Sequence, residues 1–152
     1  MRPISPSYTG TSPDEICLVS AARQFGFVFL GVTSKTSVLN IMGQEREFEV
    51  VSFFEFDNKR KMMSVIIKEN GVYKLLCKGA DSSILGRLAK SDQPFLAATT
   101  ERLNEYSKLG LRTLCMAIRV LSQEEVNTIR QKLLGLSVAG KERDNLMGRP
   151  LS

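Results

Sequence analysis

The distribution of apolar and polar positions divides the chain into a helix, a run of strands and then helices again. A helix is predicted from Pro13 to about Phe25, with proline near its start and Gly26 just past its end. Phe27 to Thr33 and Ser37 to Met42 read as paired strands. Glu47 to Phe56, Met62 to Lys68 and Val72 to Cys77 read as a meander, and Asn70-Gly71 is a strong short-hairpin signal at its second turn. The pattern then changes: Ser82 to Ala89 forms a short helix, and Phe95 to Leu109 a longer one between Pro94 and Gly110. Leu111 to Val120 returns to strand, and Ser122 to Leu134 closes as a helix whose Ser122 and Glu125 have capping-box spacing.

Successive hairpins imply an α+β fold, in which an antiparallel sheet of about six strands is flanked by helices (a three-layer α/β arrangement in some schemes). Residues 1–11, which contain Pro3, Pro6 and Gly10, read as a flexible lead-in. Residues 12–135 read as one domain, and the polar, glycine-bearing stretch 136–152 as a loosely ordered tail. At 152 residues the chain is the size of a single domain. No apolar run approaches the roughly 18 residues of a transmembrane helix, and no secretion signal is evident.

Composition removes several kinds of chemistry. The chain contains no histidine, which excludes a histidine general base, a Ser-His-Asp triad and a histidine metal site. Cys17, Cys77 and Cys115 are odd in number and widely separated, and they read as reduced core cysteines of a cytosolic domain. The net charge of +5 suits a polyphosphate ligand or an anionic surface, but equally an ordinary solvated exterior. Lys59-Arg60-Lys61 is the only dense cationic run, too short for an extended nucleic-acid stripe.

Four segments carry candidate binding chemistry. In Leu76-Cys77-Lys78-Gly79-Ala80-Asp81, a lysine ends a strand beside two nearly bare residues. Such a turn lets a flat ligand lie against backbone while the ammonium reaches its polar edge; it also suits a plain strand-to-helix turn with Asp81 as cap. Phe56 ends a strand immediately before the polar Asp57-Asn58-Lys59-Arg60, a border that suits a stacking face better than a core ring. Glu15 stands three residues after Ser12, the spacing of a capping box. Arg112, just after a helix-ending glycine, offers a fork for phosphate with Thr113 beside it, or a solvated salt bridge. Gly135 to Lys141 mimics a P-loop, but Glu142 replaces the hydroxyl residue that should hold Mg²⁺, and the stretch follows a helix instead of a strand.

Ser12-Pro13-Asp14-Glu15, the segment from Phe54 to Ser64, Cys77-Lys78-Gly79-Ala80-Asp81 and Gly110-Leu111-Arg112-Thr113-Leu114 together resemble the nucleotide-binding (N) domain of P-type ATPases. Within that family they are similar to the phospholipid-flippase (P4) branch, as is Ala21 to Phe29, and the match runs roughly from residue 8 to 121. Asn58 stands where the family usually has serine, and Met62 where it usually has arginine, which takes one cation from the expected site. The phosphorylation motif Asp-Lys-Thr-Gly-Thr is absent, so the chain reads as a fragment.

The resemblance implies an ATP-binding cytosolic domain of an integral membrane protein, which presents the γ-phosphate to a separate phosphorylation domain. It implies nucleotide contacts from Glu15, Phe56, Asn58, Lys61, Lys78, Gly79, Arg112 and Thr113, with Phe56 as the adenine platform and Glu15 facing the adenine amino group. It implies no catalytic or metal-ligating residue in the fragment: Mg²⁺ would be held mainly elsewhere in the parent. Expected partners are ATP or ADP, the phosphorylation and actuator domains and an accessory β-subunit of the parent, with no nucleic acid and a monomeric fragment. An N domain from a cation-transporting pump, or a non-catalytic interaction module, would share many of these features.

Overall fold

Five hairpin-length runs and one returning strand form a single sheet in which every neighbour is antiparallel and chain order equals spatial order. The computed structural model describes residues 8–9, 12–33, 35–89 and 93–147; most of the expected lead-in and the last five residues lie outside that set. The strands are β1 (Phe27–Val32), β2 (Thr36–Ile41), β3 (Gln44–Asp57), β4 (Met62–Glu69), β5 (Val72–Gly79) and β6 (Cys115–Leu121). Helix α1 (Pro13–Gln24) precedes the sheet, α2 (Asp81–Leu85) and α3 (Leu96–Lys108) separate β5 from β6, and α4 (Gln123–Met147) follows it. The α+β expectation is met, with six strands.

Local chemistry accounts for most boundaries. Gly26 takes φ +87°, which ends α1, and Gly110 takes φ +70°, which ends α3. Asn70 and Gly71 both have positive φ, as a two-residue type I′ hairpin requires. A second such hairpin, Met42-Gly43, joins β2 to β3, with the Gly43 N–H donating to Asn40 Oδ1 at 2.9 Å. This turn extends β3 back to Gln44, three residues before the expected start. Strand β6 begins at Cys115 instead of Leu111, because its partner β5 ends at Gly79 and leaves 111–114 nothing to pair with. Helix α2 stops at Leu85, short of the expected Ala89.

Both proposed capping boxes can be judged. Ser122 and Glu125 form one: the Ser122 N–H donates to Glu125 at 2.8 Å, and the Glu125 N–H donates to Ser122 Oγ at 3.1 Å. Ser12 and Glu15 do not. Ser12 occupies the N-cap of α1 without a side-chain bond, and the Glu15 carboxylate is drawn elsewhere. Asp81 is the first residue of α2, with Ala80 at the N-cap position, although its Oδ1 accepts the Ser82 N–H at 2.6 Å. Helix α4 continues past Leu134 to Met147, so most of the stretch expected to be a loose tail is helical and the remainder lies outside the described residues. The P-loop look-alike falls inside this helix, where backbone N–H groups make helical bonds and cannot cradle a phosphate.

The core lies on one face of the sheet. Ile66, Tyr73 and Leu121 pack with Val126 of α4, and Met62 and Cys115 pack with Ile84 of α2. Burial raises the Cys115 thiol above its ordinary pKa, with the Asp81 charge as a second cause. All three cysteines are free, but only Cys115 is buried; Cys17 is exposed, which corrects its reading as a core residue, because α1 buries no residue fully. The opposite face carries Met63, Val65, Leu76, Lys78 and Met116, as the register dictates.

Candidate nucleotide-binding face

The open face acquires its shape from one irregularity in β3. Phe54 pairs with Ser64, and Asp57 with Met62, so Glu55 and Phe56 together oppose Met63. In a bulge of this kind two successive residues share the side of the one they oppose, which assigns Phe56 to the Met63 side of the sheet by register. Phe56 is 59 % exposed, so it is not a core ring. Met63 in turn pairs with Lys78, and Lys78 with Met116. Phe56, Met63, Lys78 and Met116 therefore form one row across four strands, with Phe56 and Lys78 two strand spacings apart, roughly 10 Å.

Helix α1 supplies an acid to two of the three expected cations, Lys78 and Arg112. Glu15 Oε2 accepts from Lys78 Nζ, joining α1 to β5, and the Lys78 side chain is only 22 % exposed. Asp14 Oδ2 lies 2.7 Å from an Arg112 guanidinium nitrogen, and Arg112 is 84 % exposed. The salt-bridge alternative for Arg112 is thus what the structure contains, at an exposed surface position where such pairs are weak. Asp14 was not among the expected site residues. Its only sequence signal is adjacency to Glu15 in the first turn, where acids also favour the helix dipole. Met63 and Met116 gave no signal, since methionine in a strand reads as core.

The remaining expected residues are arranged around this row. Asn58 and Lys61 are exposed in the β3–β4 turn, where Lys61 has φ +52° and its N–H donates to the Asp57 carbonyl at 2.6 Å. Gly79 is buried, and a Cβ there would lie 2.4 Å from the Lys61 carbonyl oxygen and 2.6 Å from Met62 Cβ. Its bareness serves that approach of β4 and does not leave a surface for a flat ligand, contrary to the expectation. Met62 is buried among Ile84 and Cys115 on the core face, so its departure from the family arginine removes no charge from the open face. Thr113 is half-buried beside Arg112; both line a groove of about 890 Å³ between α2, α3 and β6. Glu15, Phe56 and Lys78 line neither that groove nor a second cavity between the core face of the sheet and α4, and lie on an open surface. Among the described residues no acidic, cysteine or histidine cluster could hold a metal, and no helix is long and apolar enough to cross a membrane.

Comparison with known proteins agrees with this architecture. The family described as "P-type ATPase, cytoplasmic domain N" matches residues 8–146. The chain is 42 % identical over 151 residues to probable phospholipid-transporting ATPase 4 of Arabidopsis thaliana, covering 94 % of this chain and 12 % of that protein. It is 42 % identical over 139 residues to human phospholipid-transporting ATPase ID, covering 91 % and 12 %. Human phospholipid-transporting ATPase IC is 37 % identical over 144 residues, covering 94 % and 11 %. The chain thus spans about one-eighth of the length of these relatives. It belongs to the family of P-type ATPase cytoplasmic N domains.

Proposed function

We propose that this chain is the ATP-binding domain of a phospholipid-translocating ATPase. The observation that carries the reading is the Glu15–Lys78 pair in the same register row as exposed Phe56, two strands away on the open sheet face. An aromatic face, an apolar floor and a held pair of opposite charges are the contacts an adenine needs. The base would stack on Phe56 above Met63, with Lys78 and Glu15 at its polar edge. Asn58 and Lys61 flank the entrance, Gly79 sets the strand approach beneath it, and Arg112 with Thr113 would meet the phosphates.

The donor set suits a nucleotide and not a metal. Glu15 is already paired, so Mg²⁺ would be held chiefly outside this chain. Nothing here can accept a phosphoryl group by a familiar route, and the γ-phosphate would be presented to an aspartate of a separate phosphorylation domain. That domain and the actuator domain of the parent, with an accessory β-subunit, would be its partners. The similarity to phospholipid-transporting ATPases favours lipid over cation transport for the parent.

Calorimetric titration with ATP and GTP tests the reading. ATP binding that weakens in Lys78→Ala, with GTP weaker still, supports it. A folded chain that binds neither nucleotide would be a non-catalytic module instead.

A further inference from the structure

The core side of the sheet contains a feature that nucleotide binding does not use. Between the sheet, α2 and α4 lies a cavity of about 620 Å³, within the roughly 300–1,000 Å³ of small-molecule sites. Met62, Ile66 and Ile84, all nearly fully buried, give it an apolar floor. Its rim is cationic: Arg60 comes from the β3–β4 turn, Arg87 from beyond α2, Arg119 from β6 and Lys132 from α4. No carboxylate lines it among the described residues.

The rim cations are only partly engaged. Arg60 donates to the Glu55 carbonyl at 2.8 Å and lies 3.7 Å from Asp57, Arg87 donates to the Ser83 carbonyl at 2.7 Å, and Arg119 pairs with Glu125. A guanidinium has five donors, so each keeps others free. The Lys132 side chain, exposed on α4, has no hydrogen bond or ion pair to a described residue. On the floor, Ser64 is 6 % exposed and accepts the Cys77 thiol at 3.3 Å; its own hydroxyl hydrogen meets no oxygen acceptor among the described residues.

Four separate elements thus deliver like charges to the mouth of an apolar slot. A free phosphate would leave the floor unused, and a neutral hydrocarbon would leave the cations unanswered. We propose that this cavity binds the anion of a long-chain fatty acid, with the alkyl chain along Met62, Ile66 and Ile84 and the carboxylate among the rim cations. The site lies on the other face of the sheet from Phe56 and Lys78, so its occupancy is independent of the nucleotide reading.

Calorimetry with oleate below its micellar concentration tests this, with oleyl alcohol and inorganic phosphate as the two half-ligands. Oleate should bind saturably, one per chain and about tenfold or more tighter than oleyl alcohol, and phosphate should not bind. Arg87→Glu with Lys132→Glu should weaken oleate about tenfold while the thermal midpoint stays at wild type. If that double variant does not fold, Lys132→Glu alone, at an exposed position of α4, should cost about threefold. Unsaturable binding, equal affinity for oleyl alcohol, or undiminished binding in a folded rim variant would overturn the proposal.

Discussion

Gly79→Ala is the sharpest structural test of how the open face is built. The added methyl would sit 2.4 Å from the Lys61 carbonyl oxygen, 2.6 Å from Met62 Cβ and 2.7 Å from Met62 Cα. Two of those atoms are backbone, and the third is a Cβ fixed to it, so no rotamer change relieves the contact. The start of β4 must move away from β5, breaking the close Met62–Gly79 pairing and disturbing Met62 against Ile84 and Cys115. Overpacking of this kind costs about 1–3 kcal/mol. For a chain of this size each kcal/mol lowers Tm by roughly 2–4 °C, so a fall of about 2–12 °C is expected. Thermal and urea unfolding, followed by circular dichroism, would measure it. An alanine variant as stable as wild type would refute the account of why a glycine follows Lys78, and would reopen position 79 as a bare surface for ligand.

Other perturbations separate binding from folding. Glu15→Gln should leave Tm nearly unchanged, because no capping bond is lost and the glutamine oxygen still accepts from Lys78 at a partly exposed site, and should weaken ATP measurably in calorimetry. Arg112→Ala should weaken ATP and ADP more than adenosine, since only phosphates answer its charge; equal losses would remove its phosphate role. Acid unfolding should depend on Glu69, whose carboxyl is held below its ordinary pKa first by the Lys74 hydrogen bond, and also by Arg46. A depressed folded pKa means this stability is present above the unfolded value, about 4.3, and is lost as pH falls through the folded one; Glu69→Gln should flatten that part of a Tm–pH curve. The purified chain should show no ATP turnover and no acid-stable phosphoenzyme, and turnover abolished by Arg112→Ala would contradict a binding role alone.

The sequence announced elements wherever a wet face alternated with a dry one, or where a turn required a particular residue. Asn70-Gly71 marked its hairpin because asparagine and glycine tolerate positive φ, whereas Met42-Gly43 makes the same turn with a residue that carries no such signal. Gln44 to Glu47 are all exposed, so their strand leaves no hydrophobic alternation to read. Glu15 had two possible partners at the sequence level, a local N–H and a distant lysine. Only the tertiary fold, which brings α1 over the end of β5, decides for Lys78. The same limit hid the facing of Met62: adjacent residues in a strand point to opposite sides, and a motif read as a string does not say which side holds the site. The bulge that turns Phe56 to the Lys78 side depends on the pairing register of β3 with β4, a long-range property.

The claim that the Phe56–Lys78 face holds adenine is tested most directly by one ladder of titrations. ATP, ADP, AMP and adenosine are each titrated into the wild-type chain and into Phe56→Ala. Because Phe56 is exposed, the substitution should leave Tm close to wild type. All four ligands should lose a similar increment of about 1–3 kcal/mol, the worth of one stacked base. A folded Phe56→Ala chain that binds all four as tightly as wild type would contradict the account.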